Sequence, residues 1–216
     1  MPEPIDLERF AITLVGIFYQ LSKTPELWQW FGFVKPPKRG RFFDRFVPVD
    51  RLNRERFLNR EILVLCTATA LRWLRYHLDA TRGTVVSARV LELLTQGPTS
   101  TDRWWRIQDF PSQGAALQFY FEALETYVPQ QNIKGLSNAF IKRMAAVVDS
   151  RTLALWAVGV AQLCTQQISP LSILPAWLDD SFGRASYSGQ VVLHDRTLLT
   201  DAERLLALVP VAHETP

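Results

Sequence analysis

Apolar residues recur at helical spacing through most of this chain, beginning with Leu7, Phe10, Leu14, Ile17, Phe18 and Leu21 on one stripe. A stripe with that period is the mark of a helix laid against a core. Between Thr24 and Asp50 the pattern breaks: a short segment opened by Pro25 carries Trp28 and Trp30, and the stretch after it is punctuated by Pro36, Pro37, Gly40 and Pro48. Periodicity resumes from about Leu52 to Asp79, with Asp50 as the expected N-cap and Arg51 and Glu55 at ion-pair spacing. The middle of that segment, Ile62 to Cys66, is apolar on every side, so this helix is expected to run enclosed through the core and show arginines only at its ends.

Gly83 is expected to end that region, and Val86, Val90, Leu93 and Leu94 mark a further helix stopped by Gly97 and Pro98. Pro111 opens a helix striped by Leu117, Tyr120, Phe121, Leu124 and Tyr127, which Pro129 closes. Leu136, Phe140, Met144, Val147 and Val148 form the next stripe. Ser150 is then placed to cap a very apolar helix around Trp156, expected to be the second enclosed one. From Ser169 prolines, glycines and acids interrupt the chain, and Gln190 to His194 is the one strand-like run, too short to argue for a sheet. Thr200 and Glu203 have capping-box spacing before a last helix through Leu205, Leu206 and Leu208.

The pattern predicts an all-α fold: a single helical bundle of about seven to nine helices over residues 1–216. A long basic aromatic loop containing Pro and Gly, at 32–50, follows the first helix, and the segment 169–216 is irregular. A chain of 216 residues, 48% hydrophobic with 7 Trp and 13 Phe, has ample material for a core. Its two cysteines, Cys66 and Cys164, lie in apolar runs without zinc spacing and read as buried thiols. The N-terminus lacks the basic start of a secretory signal, and Leu153 to Cys164 is shorter than the ~20 apolar residues a membrane span requires. A cytoplasmic protein without membrane attachment is expected, with no cofactor and no metal.

Charge changes the picture. Residues 35 to 106 hold 15 of the 24 Lys and Arg but 7 of the 21 Asp and Glu, a local net of +8, whereas the rest sum to −5. Arginines in that third alternate with large aromatics: Arg39, Arg41, Phe42, Phe43, Arg45 and Phe46, then Arg72, Trp73, Arg75 and Tyr76, then Arg103, Trp104, Trp105 and Arg106. Guanidinium forks match phosphate, and aromatic rings stack on unpaired bases, so the combination suits RNA or single-stranded DNA. The residues expected on the phosphate backbone are Lys35, Lys38, Arg39, Arg41, Arg45, Arg51, Arg54, Arg72, Arg75, Arg103 and Arg106. Against this stands a purely architectural use of the same residues, with arginine stems covering apolar surface and Asp44, Asp50, Glu55 and Glu61 neutralising their neighbours.

The leading expectation is a non-enzymatic accessory subunit binding nucleic-acid backbone inside a larger protein assembly; in composition the chain resembles small helical subunits of RNA-guided defence complexes. A second class is an adaptor that anchors a protein partner through Trp28, Trp30, Trp104 and Trp105, since Trp and Arg dominate binding hot spots. A third rests on Arg72, Trp73, Leu74, Arg75, Tyr76 and His77, whose Arg, four residues, His spacing resembles the motif of helical HEPN-type ribonucleases. That resemblance implies metal-independent RNA cleavage by Arg72 and His77 across a dimer. Here Trp73 stands where that family commonly has a polar residue, and the pair sits late in a long helix.

Overall fold

The computed structural model describes residues 7–22, 25–32, 49–96, 110, 112–165, 193 and 195–209. Within them the chain forms α1 (Leu7–Ser22), α2 (Pro25–Trp30), α3 (Val49–His77), α4 (Ala80–Gln96), α5 (Gln113–Tyr127), α6 (Ile133–Met144), α7 (Ser150–Thr165) and α8 (Arg196–Ala207). No strand occurs among the described residues, and the all-α bundle predicted from periodicity is the architecture observed. Residues 33–48 of the basic loop, the strand-like run from Gln190 to Val192 and at His194, and the turn at Gly97 and Pro98 lie outside the described residues, while Val49 and Asp50, expected in the loop, belong to α3.

Helix α3 is the axis of the fold. Ile62, Leu63, Val64, Leu65 and Cys66 are all buried, and α1, α4, α5 and α8 pack around it. The expectation of an enclosed middle is met because a helix without a polar side has no face to offer water. Thr67, also fully buried, turns its hydroxyl back to the Leu63 carbonyl at 2.9 Å, which satisfies that polar group. Burial pushes the Cys66 thiol up to about 12, so this cysteine is a small core hydrophobe. Helix α4 packs on α1, α3, α5 and α8, while α7 takes α2 and α6, with α5 reaching α6. Buried side chains from all eight helices join one continuous core cluster.

Several boundaries differ from those read in the sequence, and each difference is a capping choice. Helix α3 begins at Val49, so Asp50 falls inside its first turn. It breaks at Leu78 and Asp79 rather than at Gly83, because Asp79 accepts the Arg82 amide at 2.9 Å and starts α4. Gly83 is a buried interior residue of α4 instead, where an added Cβ would already touch Leu206 of α8 at 3.6 Å. Asp149, not Ser150, caps α7: its Oδ1 accepts the Thr152 amide at 2.9 Å and its Oδ2 the Thr152 hydroxyl at 2.7 Å. Asp195 caps α8, accepting the Thr197 amide at 2.8 Å, while Thr200 sits within the helix bonded to the Arg196 carbonyl.

Two glycines shape the α2–α7 contact. Gly32, at φ 82°, takes the left-handed conformation that ends α2. Gly159 lies where a Cβ would come within 2.7 Å of the Trp30 carbonyl oxygen and of the Phe31 ring, so its missing side chain lets α7 approach the end of α2. Helix α7 is less enclosed than expected. Trp156, Val160 and Leu163 are buried, but Ala154, Leu155, Val158 and Ala161 are exposed, Val158 at 57% and Leu155 at 47% with its Cδ2 against Gly32. The described bundle encloses half of this helix, not all of it.

Candidate functional site

The last turns of α3 carry the densest set of predicted binding residues within the described structure. Arg72 faces the C-terminal end of α5, where four carbonyls of any helix lack intrahelical partners. Its Nη2 donates to the Tyr127 carbonyl at 3.2 Å, to that of Val128 at 3.4 Å and to that of Gln130. One guanidinium thus caps the helix that Pro129 closes, and the half-buried cation sits against the partial negative charge of that terminus. Burial lowers the Arg72 pKa from its ordinary value, with nearby Tyr76 acting in the opposite direction. Arg72, expected on phosphate, donates from Nη2 alone to the carbonyls of the α5–α6 turn.

The neighbouring residues point elsewhere. Trp73 is buried against Phe10 of α1, ring centroids 5.9 Å apart, and the exposed His77 ring stacks on it at 4.5 Å and 20°. Arg75 is exposed, and Tyr76 is 53% exposed. The turn therefore offers solvent a cation and two rings, while Arg72 is committed to backbone. The two residues that the ribonuclease resemblance pairs have separate local roles: Arg72 binds carbonyls and His77 covers a tryptophan.

A second cluster lies deeper, where α3, α5 and α6 meet. Glu61, 1% exposed, accepts from Arg143 of α6 (Nη2 to Oε1 2.6 Å, Nε to Oε2 3.1 Å) and from the Tyr127 hydroxyl of α5 at 2.8 Å. Burial opposes the charge on Arg143, but the Glu61 hydrogen bonds and charge outweigh it and leave its pKa raised. Tyr127 is raised too, by burial first and by the Glu61 carboxylate next, so it stays a neutral donor. Around this triad, Arg143 lies over the rings of Phe119 and Tyr127 at 5.5 and 5.8 Å, and Arg60 over Phe110 at 4.3 Å and Phe57 at 5.5 Å. Both oxygens of the Glu61 carboxylate have donors, and the cluster ties the three helices together.

The remaining arginines of α4 are also engaged internally. Arg89 binds Glu8 of α1 through Nε and Nη2 (2.8 and 2.7 Å) and Glu92 through Nη1 at 2.5 Å. Hydrogen bonds donated to Glu8, ahead of the opposing effect of burial, raise its pKa. Arg82 pairs with Asp79 at 3.4 Å on an exposed turn.

Of the predicted tryptophan anchors, Trp28 is fully enclosed in the core and Trp30 is half-buried against it. Trp28 is a packing residue here, not a surface anchor. Lys35, Lys38, Arg39, Arg41, Arg45, Arg103, Trp104, Trp105 and Arg106 lie outside the described residues. Arg51 and Arg54 fall in the first turns of α3, their side chains likewise outside them. Sequence reasoning missed Arg143 and Glu61 as a pair, since a separation of 82 positions leaves no local signal. No group of three or more His, Cys, Asp or Glu suited to a metal ion occurs among the described residues. No helix there is long and apolar enough to cross a membrane.

In comparisons with known proteins, the chain matches no family model, no curated protein and no solved structure.

Proposed function

We propose that this protein is a non-enzymatic accessory subunit that holds the phosphate backbone of RNA or single-stranded DNA within a larger protein assembly. The observation carrying this reading is the segregation of charge, +8 over residues 35 to 106 against −5 over the rest. Internal pairing removes part of that surplus without abolishing it. Arg89 and Arg82 have carboxylate partners, and Arg72 is taken up by backbone carbonyls. Glu61, however, faces inward to Arg143, which lies outside the basic third, so its charge does not offset the arginines near it in sequence. The reading therefore rests on exposed Arg75 and on the cations at 35–45 and 103–106, with Tyr76 supplying an exposed ring for stacking. A ribonuclease would need Arg72 at the scissile phosphate, a position its three carbonyl contacts do not favour.

The test is binding of fluorescent single-stranded RNA and DNA of unrelated sequence across a salt series. Wild type is expected to bind both with a salt-dependent affinity, and replacing Lys35, Lys38, Arg39, Arg41 and Arg45 by Ser should weaken all sequences alike and flatten the salt slope. The thermal midpoint should stay close to wild type. Failure of wild-type protein to bind either strand at low salt would sink the reading.

A further inference from the structure

We infer that the outer face of α6 is a second contact line for nucleic-acid backbone, with Lys134 and Lys142 on phosphates; this rests on the proposed function and extends it beyond the basic third. The starting point is a division of labour among the cations. Arg82, Arg89, Arg143 and Arg204 each have a carboxylate partner, and Arg72 is occupied by backbone carbonyls. Lys134 and Lys142, the two described lysines, are exposed, and neither has an ion pair or a side-chain hydrogen bond among the described residues.

Their spacing makes a track. Positions 134, 138 and 142 stand at i, i+4 and i+8, so Lys134, Asn138 and Lys142 form one exposed line along α6. Leu136, Phe140 and Met144 are buried on the opposite side of the helix, which sets the line toward solvent. The two lysines are eight residues apart, about 12 Å of helix, a span that a few nucleotides cover at roughly 3.4 Å or more each. No Asp or Glu occurs from Thr126 to Val148, and Asp149, the next carboxylate, is held by the Thr152 amide and hydroxyl as the cap of α7.

The fold joins this line to the basic third. Arg72 donates to the Tyr127, Val128 and Gln130 carbonyls, which fixes the end of α3 against the turn that leads into α6. Arg75, exposed and likewise without a carboxylate partner among the described residues, follows one turn later on α3. A strand leaving Arg75 meets Lys134 in the first turn of α6 and runs on toward Lys142. The contact is with phosphate and not with bases, because a lysine ammonium is a flexible point charge that reads no sequence, and the line carries no aromatic ring. An acidic protein surface is the poorer occupant: protein interfaces centre on apolar or aromatic anchors, and the residue between the two lysines is Asn138.

The test is binding of a long fluorescent oligouridine to the full chain across a salt series, comparing wild type with Lys134→Gln, Lys142→Gln, the double variant and Arg196→Gln. Arg196→Gln removes one exposed cation from α8, a helix that packs on α4. Each lysine variant should lower the salt slope by about 0.7 and the double variant by about 1.4, with a several-fold loss of affinity at low salt. Arg196→Gln should leave slope and affinity at the wild-type values, and all thermal midpoints should stay in place. A wild-type slope in the lysine variants overturns this inference and leaves the proposed function standing, whereas no binding by wild type overturns both. Equal loss in Arg196→Gln overturns it as an effect of overall charge. An oligoglutamate of matched charge that binds as tightly as oligouridine through the same lysines overturns it in favour of an acidic protein partner.

Discussion

Arg143 of α6 reaches Glu61 of α3 at 2.6 Å, and the carboxylate it binds is 1% exposed. The pair joins two helices that are distant in sequence, and Tyr127 brings in a third. Charges taken out of water are tolerated when each oxygen has a donor, and here two N–H groups and a hydroxyl share one carboxylate. The cost appears when one partner is removed. Arg143→Ala leaves Glu61 buried with Tyr127 alone, and the loss is expected to be about 3–5 kcal/mol. Tyr127→Phe keeps the ion pair and should cost about 1.5–3 kcal/mol. Urea midpoints of the two single variants and the double variant check this. Additive losses would show that the three groups do not act as one network.

Arg72 is expected to behave as a helix cap. Arg72→Ala should destabilise by about 1–2 kcal/mol, with amide exchange faster at the end of α5 and in the turn to α6. Arg72→Lys should recover only part, since an ammonium is more strongly hydrated than a guanidinium and loses more in this half-buried position. Affinity for single strands should be unchanged in both once the protein is folded. A selective loss of binding in Arg72→Lys at wild-type stability would return Arg72 to the phosphate surface.

Two glycine substitutions make opposite demands. At Gly159 an added methyl meets the Trp30 carbonyl oxygen and the Phe31 ring at 2.7 Å, so Gly159→Ala should push α2 from α7 and cost about 1–3 kcal/mol. At Gly114, in the first turn of α5, the nearest atom is Ser112 Oγ at 3.8 Å. Gly114→Ala should stabilise by about 0.4–1 kcal/mol by restricting the unfolded chain. Thermal midpoints moving in opposite directions are the expected outcome; a neutral Gly159→Ala would mean the α2–α7 approach is looser than these distances.

The helices were legible because hydrophobic period is a local property, and Ile62 to Cys66 could be placed in the core from their own run of side chains. Caps were less legible. Asp149 and Ser150 are adjacent oxygen-bearing residues, as are several around Asp195, and the choice between them depends on which backbone turns extended. The surplus of positive charge was readable by counting, but its use was not: Arg72, Arg89 and Arg143 look like surface cations until Gln130, Glu8 and Glu61 arrive from other parts of the fold. The exposure of Leu155 and Val158 on α7 was hidden for a related reason. Apolar composition says that a side chain avoids water, and says nothing of whether its own chain or another covers it.

Asp149 gives the fold a pH-dependent start to α7. Hydrogen bonds from the Thr152 amide and hydroxyl favour the carboxylate, so its pKa lies below the ordinary aspartate value although the group is exposed. Since the folded value is the lower one, the stabilisation is fully present above the unfolded aspartate pKa of about 3.9 and is lost as pH falls through the folded value. Proton exchange at the Thr152 amide, followed by NMR from pH 6 downward, should accelerate in that window while amides in the middle of α3 remain protected. Asp149→Asn should cap nearly as well at neutral pH and remove this acid-dependent step, because an amide oxygen accepts without titrating. An unchanged acid step in Asp149→Asn would assign it to another carboxylate.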